Sequence, residues 1–267
     1  MIRLPDVELS RRAANQLSRW QADIDAIGDY ATQVAEGRKR FKSRNTKSNA
    51  TFTQVRECLG QMCSGAQRCA YCEDSVADEV EHVRPKDLYP ERVFVWGNYV
   101  YACGPCNGPK NNTFAVMVDG ELVDVTRPVG AQVRPPRKGE MALVDPRVED
   151  PLAVLHLDLR DSFFFVSRAD PGTTRDIRAR YTMDVLRLNH RGYLVAARRE
   201  AYDSYRARLC EYVDRRDAGE PASSLEHLIT SLRRMGHPTV WAEMKRQHTS
   251  IPELRDLFTK APEALTW

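Results

Sequence analysis

Four of the seven cysteines in the chain form two pairs, Cys69-Ala-Tyr-Cys72 and Cys103-Gly-Pro-Cys106, with 30 residues between them. Two residues between cysteines let both thiolates of a pair reach one metal ion from a tight turn. Two such turns supply the four soft ligands of a tetrahedral zinc site. Because a site of four cysteines has no open coordination position, the pattern predicts a structural Zn²⁺ ion that stabilises the fold and takes no part in catalysis.

The second pair has a competing interpretation, because Cys-Gly-Pro-Cys is also the redox motif of thioredoxins. In that fold the second cysteine continues into a long helix. Here Asn107-Gly108-Pro109 follows at once and discourages an uninterrupted helix. A redox protein would also leave Cys69 and Cys72 without a role, so it stays the third hypothesis for function.

The residues between and just after the cysteine pairs have side chains that suit phosphodiester hydrolysis. Glu81 and Asn107 offer the oxygen ligands that Mg²⁺ or Mn²⁺ prefers. His82 offers an imidazole, a base poised near neutral pH that can take a proton from water. A metal there would polarise the scissile phosphate while His82 activates the attacking water. Three cations nearby can neutralise phosphate oxygens: Arg84, Lys86 and Lys110.

These residues resemble the HNH (ββα-metal) nuclease family. The resemblance covers about 45 residues and rests on Cys69-x2-Cys72, Glu81-His82-x2-Pro85-Lys86, Trp96-x-Asn98 and Cys103-x2-Cys106-Asn107-x2-Lys110. It implies a site built from two short strands and a helix, with His82 as the general base. It also implies that Asn98 holds the histidine-bearing loop in shape and that Asn107 and Glu81 bind the catalytic metal. Many family members have Asp at the position of Glu81, and the family tolerates Asn at the final position.

A weaker resemblance extends beyond this core, to the Septu-type (PtuB-like) and retron-associated HNH nucleases of bacterial defence. It rests on Glu81-His-Val-Arg-Pro-Lys86, Val144-Asp-Pro-Arg147, Asp150-Pro151 and the segment from Ala179 to Asn189, which contains Leu186-Arg-Leu-Asn189. Nucleases of that kind work beside a separate ATPase. The resemblance therefore implies an ATPase partner and a role against phage, which the residues do not show by themselves.

Composition sets the class of protein in which this site must be held. The chain has 267 residues, of which 42% are hydrophobic and 29% charged, as expected of a globular protein. No apolar run approaches the ~18 residues of a membrane-spanning helix, and Asp6 and Glu8 stand where a signal peptide needs apolar residues. We therefore expect no membrane segment and a cytoplasmic location. The net charge of +3 is too small to identify a nucleic-acid partner.

Hydrophobic periodicity predicts an α+β chain, mainly helical, around a central zinc-stabilised ββα-metal core. Four regions are expected: an N-terminal helical region (1–66), the nuclease core (67–113), a β-hairpin and loop extension (114–170) and a C-terminal helical region (171–267). Asp119-Gly120 between two apolar runs predicts a hairpin with a type I′ turn. Short strands are expected at 141–145 and 152–166.

Two basic segments are open to two interpretations. Residues 38–47 carry six basic residues and no acidic one, and residues 127–138 carry four basic residues and three prolines. Either segment is a solvated loop or a contact to the phosphate backbone, which supplies affinity without sequence information. The helical flanks are expected to form a cleft wall, a partner interface or both.

The leading hypothesis is a metal-dependent HNH endonuclease that acts on DNA, with RNA left open as a substrate. The alternative is a non-catalytic zinc module that binds nucleic acid or a partner protein. That alternative explains the cysteines and the basic segments but leaves Glu81 and His82 without a role.

Overall fold

Helices dominate the chain, which the computed structural model describes from residue 1 to residue 267. The strands are short and form three separate small sheets, so the predicted α+β class is confirmed. The helices are α1 (Arg11–Asp25), α2 (Tyr30–Arg44), α3 (Ala50–Met62), α4 (Gly104–Lys110), α5 (Thr174–Val185), α6 (Gly192–Asp217), α7 (Ala222–Arg233), α8 (Pro238–Gln247) and α9 (Pro252–Lys260). No helix is both long and apolar enough to cross a membrane.

Side-chain caps explain where several helices begin. The oxygens of Ser10, Asp29, Asn49 and Thr173 accept hydrogen bonds from backbone amides in the first turns of α1, α2, α3 and α5. Such bonds satisfy amide donors that a helix N-terminus leaves unpaired. Pro252 occupies the first position of α9, where a proline has no amide donor to lose and its fixed φ suits the helix.

Three small sheets contain the strands. They are β1 (Glu79–His82) with β2 (Tyr99–Ala102); β4 (Glu121–Asp124) with β3 (Ala115–Val118) and β5 (Glu140–Met141); and β6 (Leu155–Leu157) with β7 (Phe165–Ser167). All pairs are antiparallel. Asp119 and Gly120 join β3 to β4 with φ of 52° and 86°, the positive values that a type I′ turn requires, so the predicted hairpin is confirmed.

The strands expected at 141–145 and 152–166 are shorter than predicted. Only Met141 of the first segment pairs in a ladder, since the amide of Val144 donates instead to the Thr182 side chain. In the second segment a 3₁₀ turn covers Pro151–Ala153 before β6 begins. Tertiary contacts and proline chemistry thus replace strand pairing at these points.

The two basic segments take different structures. Residues 38–44 form the last two turns of α2 rather than a loop, and residues 127–138 contain neither helix nor strand, as predicted. A single cluster of 58 buried residues runs through the chain from Met1 to Ala264 and includes β1, β2 and the paired cysteines. The candidate site is therefore built on a packed core and not on a mobile surface loop.

Candidate active site

Two antiparallel strands and a short helix carry the candidate site. In the β1–β2 hairpin, Glu81 lies opposite Val100 and His82 lies opposite Tyr99. β2 leads directly into α4, which begins at Gly104 and has seven residues. The shortness of α4 agrees with the expectation that Asn107-Gly108-Pro109 discourages a long helix. This strand–strand–helix order is the one that the HNH resemblance implies.

The four paired cysteines form one buried cluster. Their sulfur atoms all lie within 4.8 Å of one another, and the sulfurs of Cys72 and Cys103 are 3.8 Å apart. Four sulfurs about 2.3 Å from a central zinc ion would be separated by about 3.8 Å, the edge of that tetrahedron. The cluster therefore has the ligands and the spacing to hold a zinc ion. Because both pairs belong to it, the redox interpretation of the second pair alone finds no support.

The surroundings of the cluster also suit a zinc ion bound by four thiolates. The amide of Cys103 donates to the sulfur of Cys69 at 3.3 Å, and the guanidinium of Arg191 donates to the sulfur of Cys106 at 3.2 Å. Four thiolates around Zn²⁺ carry a net charge of −2, which a neighbouring cation offsets. Arg191 stands immediately before α6, so the chain that leads into this helix contacts the cysteine cluster.

The cysteine cluster also fixes the position of Asn107. Cys103 caps α4 and Cys106 lies in its first turn, immediately before Asn107. At the same end of the β1–β2 hairpin, the amide of Ala70, between the first two cysteines, donates to the carbonyl of Tyr101 at 2.9 Å. Any displacement of the cluster would therefore move α4 and Asn107 relative to β1.

Next to the cluster, a cavity of about 550 Å³ brings together most of the predicted site residues. Glu81, His82, Lys86 and Asn107 all line this cavity. Asn98, Arg84 and Lys110 are not among its lining residues. Four of the seven predicted side chains outside the cysteine cluster thus lie around one hollow.

His82 is held as a neutral imidazole with one nitrogen available. Its Nε2 lies 3.0 Å from the carbonyl oxygen of Val93, which can only accept, so Nε2 carries the proton and Nδ1 has the free lone pair. The ring packs edge-on against Phe41 and Tyr99, with centroids 4.5 and 5.1 Å away. Burial, aided by the nearby charge of Lys86, lowers the pKa of His82 to about 3. The imidazole is therefore unprotonated at neutral pH, and its pKa is not the near-neutral one that the sequence led us to expect, because the fold buries the ring.

Asn98 joins the two ends of the loop that follows β1. Its side-chain oxygen accepts from the amide of Arg84 at 2.8 Å, and its amide nitrogen donates to the carbonyls of Arg84 and Arg92, both at 3.0 Å. The Asn98 backbone oxygen also accepts from the amide of Val83 at 2.9 Å. These bonds hold the chain on either side of the Val93 carbonyl that orients His82.

Replacing Asn98 with Ala should destabilise this loop. The change removes three partly buried hydrogen bonds and leaves the amide and the carbonyl of Arg84 without these partners, so we expect a loss of about 2–4 kcal/mol of unfolding free energy. Urea denaturation of Asn98→Ala beside Asn15→Ala, an exposed helical position, measures it. Equal stability of the two variants would contradict this role for Asn98.

Glu81 is paired with Lys110 inside the protein. The ammonium of Lys110 is completely buried and donates to Glu81 Oε1 and, at 2.8 Å, to the carbonyl of His82. This pairing leaves Glu81 Oε2 without a protein donor. The expected phosphate contact of Lys110 finds no support here, because its ammonium does not reach the surface.

Glu79 belongs to the site, although the sequence analysis did not select it. It stands two residues before Glu81 on β1 and therefore on the same face of the strand. Its Oε2 accepts a hydrogen bond from the amide nitrogen of Asn107, and it lines the same cavity. This bond fixes which end of the Asn107 amide faces the cavity. The Glu-x-Glu alternation before His82 was the signal that could have identified it.

The remaining two predicted cations lie in different places. Lys86 is half-buried, lines the cavity and has its ammonium 5.6 Å from the centre of the Phe41 ring. Arg84 points elsewhere, with its guanidinium over the rings of Tyr89 and Phe114 at 5.2 and 6.0 Å. The structure thus brings Lys86, but not Arg84, to the cavity.

Comparison with known proteins gives one short similarity. The chain is 46% identical over 48 residues to the Septu protein PtuB of Bacillus thuringiensis. The similarity covers 16% of this chain and 19% of the length of that protein. No protein-family model matches the chain, and no solved structure matches it.

Proposed function

We propose that the chain is a metal-dependent endonuclease of the HNH type that hydrolyses phosphodiester bonds in DNA. The observation that carries this proposal is the shared cavity, which combines a neutral imidazole with oxygen ligands beside a four-cysteine cluster. A non-catalytic zinc module would need none of these groups buried around one hollow. Buried polar groups carry a cost in stability unless they are paired, so such an arrangement favours a catalytic role.

The oxygens left free in the cavity suit Mg²⁺ or Mn²⁺. Lys110 occupies one oxygen of Glu81 and leaves the other, and the bond to Glu79 leaves Asn107 with its carbonyl oxygen free. One carboxylate and one amide oxygen match the few protein ligands that Mg²⁺ takes while it keeps several waters. When bound there, the ion would polarise the scissile phosphate and stabilise the leaving oxygen.

His82 then acts as the general base of the reaction. Its Nδ1 accepts a proton from the attacking water, while the bond from Nε2 to the Val93 carbonyl keeps the ring oriented and stabilises the charge that develops. Lys86 contacts a phosphate oxygen, since its side chain reaches the cavity. Asn98 and Lys110 act through the groups they hold: the loop after β1 and the Glu81 carboxylate.

We also propose a role in bacterial defence against phage, beside a separate ATPase. The short identity with a Septu protein supports this role, and it agrees with the residues on which the resemblance rests. The identity covers a small part of both chains, so the ATPase partner is proposed from the resemblance alone.

Cleavage of plasmid DNA tests the proposed activity. The full chain is incubated with supercoiled plasmid, and separately with RNA, while Mg²⁺ or Mn²⁺ is titrated in the presence of bound zinc. We expect nicked or linear plasmid to appear only with the added cation. Binding of DNA without cleavage at any concentration of either cation would favour the non-catalytic zinc module instead.

Removing the Glu79 carboxylate should weaken metal binding through Asn107. In Glu79→Ala the amide of Asn107 loses its acceptor and is free to turn, so we expect the Mn²⁺ concentration for half-maximal cleavage to rise about 10–100-fold. Glu79→Gln keeps an acceptor oxygen and should recover most of this loss. If the two variants shift the Mn²⁺ dependence equally, the amide-orienting role of Glu79 is wrong.

A further inference from the structure

A second cavity continues the candidate active site along helix α2. It has a volume of about 870 Å³ and shares five lining residues with the first cavity. They are Phe41, Asn45, Lys86, Asn111 and Asn112. The two cavities therefore form one groove, which begins at Glu81 and Asn107 and runs out over α2.

One face of α2 forms the wall of this groove. The wall is lined by Ala35, Arg38, Lys39 and Lys42, and by Asn45 at the C-cap of α2. They follow the three- and four-residue spacing that places side chains on one side of a helix. From Arg38 to Asn45 the helix rises about 10 Å, the axial rise of about three nucleotides. The same helix provides Phe41, whose ring packs on that of His82 in β1, so the wall is in direct contact with the candidate base.

All acidic side chains of the groove except Asp87 lie at one end, where Asp78, Glu79 and Glu81 line the first cavity together with Lys47 and Arg56. Along α2, the exposed ammonium of Lys42 has no acidic partner, and Lys39 has only a solvent-exposed pairing with Glu36. A strand whose scissile phosphate lies at the metal would therefore place its neighbouring phosphates against cations.

The second basic segment reaches the same groove. Arg127 donates to the carbonyl of Asp87 at 2.8 Å and to the hydroxyl of Tyr30 at 3.1 Å. The carboxylate of Asp87, the acidic side chain on this part of the groove, is covered by Arg38 at 3.4 Å and by Asn112 at 2.8 Å. Asp87 is thus contacted by both basic segments, 38–47 through Arg38 and 127–138 through Arg127, although the two are far apart in the sequence.

We propose that this face of α2, together with Lys86, is a phosphate-binding track that holds one DNA strand leading away from the scissile phosphate. The inference rests on the proposed nuclease function and specifies which surface of that site holds the substrate. Phosphate contacts of this kind supply affinity that falls with salt and carry no sequence information.

Salt-dependent binding tests the track. The full chain, carrying His82→Ala so that the probe is not cut, is titrated against a fluorescein-labelled 20-nucleotide DNA strand at several KCl concentrations. The track variant is Arg38→Gln, Lys39→Gln and Lys42→Gln. The control is Arg233→Gln, Arg255→Gln and Lys260→Gln, which removes the same charge from exposed positions of α7 and α9.

We expect the track variant to bind about 10–100-fold more weakly at 100 mM KCl. The slope of log K against log salt should fall by about 2, at ~0.7 for each lost contact to a single strand. The control should bind within about twofold of its parent. Because Arg38 also contacts Asp87, the double variant Lys39→Gln with Lys42→Gln serves as a check that perturbs only exposed side chains, and its slope should fall by about 1.4.

Equal affinities and slopes for the track variant and its control would overturn the proposal. This outcome is separate from failure of the nuclease function, which the plasmid assay on the unmodified chain reports. DNA binding that depends on α2 without any cleavage would remove the proposed function and keep the track. If the unmodified chain cuts plasmid and the α2 substitutions leave DNA binding unchanged, the proposed function is supported and the phosphate-binding track is contradicted.

Discussion

Replacing His82 with Ala should reduce DNA cleavage about 10²–10⁴-fold, the range that a positioned general base contributes. The imidazole is the neutral base in the cavity, and its Nε2 bond to Val93 orients Nδ1 for the attacking water. No other histidine lines the cavity, so no neighbouring imidazole replaces it. The loss should appear in the rate constant at saturating Mn²⁺, because the proposed metal ligands are unchanged.

The measurement is the single-turnover rate of plasmid nicking for His82→Ala beside His190→Ala, whose side chain is exposed. Removal of the buried ring from its contacts with Phe41 and Tyr99 should cost about 1–3 kcal/mol of stability without unfolding the chain. Circular dichroism and zinc content should therefore match those of the parent. A His82→Ala protein that cuts at the parent rate would show that another group is the base.

Replacing Cys69 or Cys103 with Ser should abolish zinc binding and unfold the segment around the β1–β2 hairpin. Structural zinc contributes an apparent ~10–16 kcal/mol of binding free energy in zinc-finger peptides, and much of that energy stabilises the fold. Here the cluster joins the first cysteine turn to α4, so its loss should also release Asn107. We expect a lower melting temperature and no cleavage.

Elemental analysis and thermal unfolding of Cys69→Ser and Cys103→Ser, with Cys210→Ser as the control, measure this effect. Cys210 is exposed and lies outside the cluster, so its replacement should leave zinc content and melting temperature unchanged. A parent protein that contains no zinc, together with variants of unchanged melting temperature, would show that the cluster does not depend on a metal.

Local patterns in the sequence predicted much of the fold. Two examples are the hairpin at Asp119-Gly120 and the irregular segment 127–138, which follow from the backbone preferences of a few residues. The spacing of the two cysteine pairs likewise predicted one cluster. These features need no information from distant parts of the chain, which is why they could be derived before the structure was known.

Other features of the site depend on contacts that spacing does not encode. The sequence predicts Lys110 as a phosphate contact, yet the fold buries it against Glu81. The backbone carbonyl of Val93 orients His82. Every residue has such a carbonyl, so no residue type in the sequence marks this contact. Arg191 comes to the cysteine cluster from a region 85 residues away in sequence. Each of these contacts is made by tertiary packing, so it appears only in the folded chain.

The most direct test of the account is a crystal of the full chain grown with zinc and saturating Mn²⁺, examined for anomalous scattering. We expect a manganese peak in the cavity, within bonding distance of an oxygen of Glu81 and of the side-chain oxygen of Asn107, beside a zinc peak among the four cysteines. A map with zinc among the cysteines and no manganese peak near Glu81 and Asn107 would contradict the proposed catalytic site.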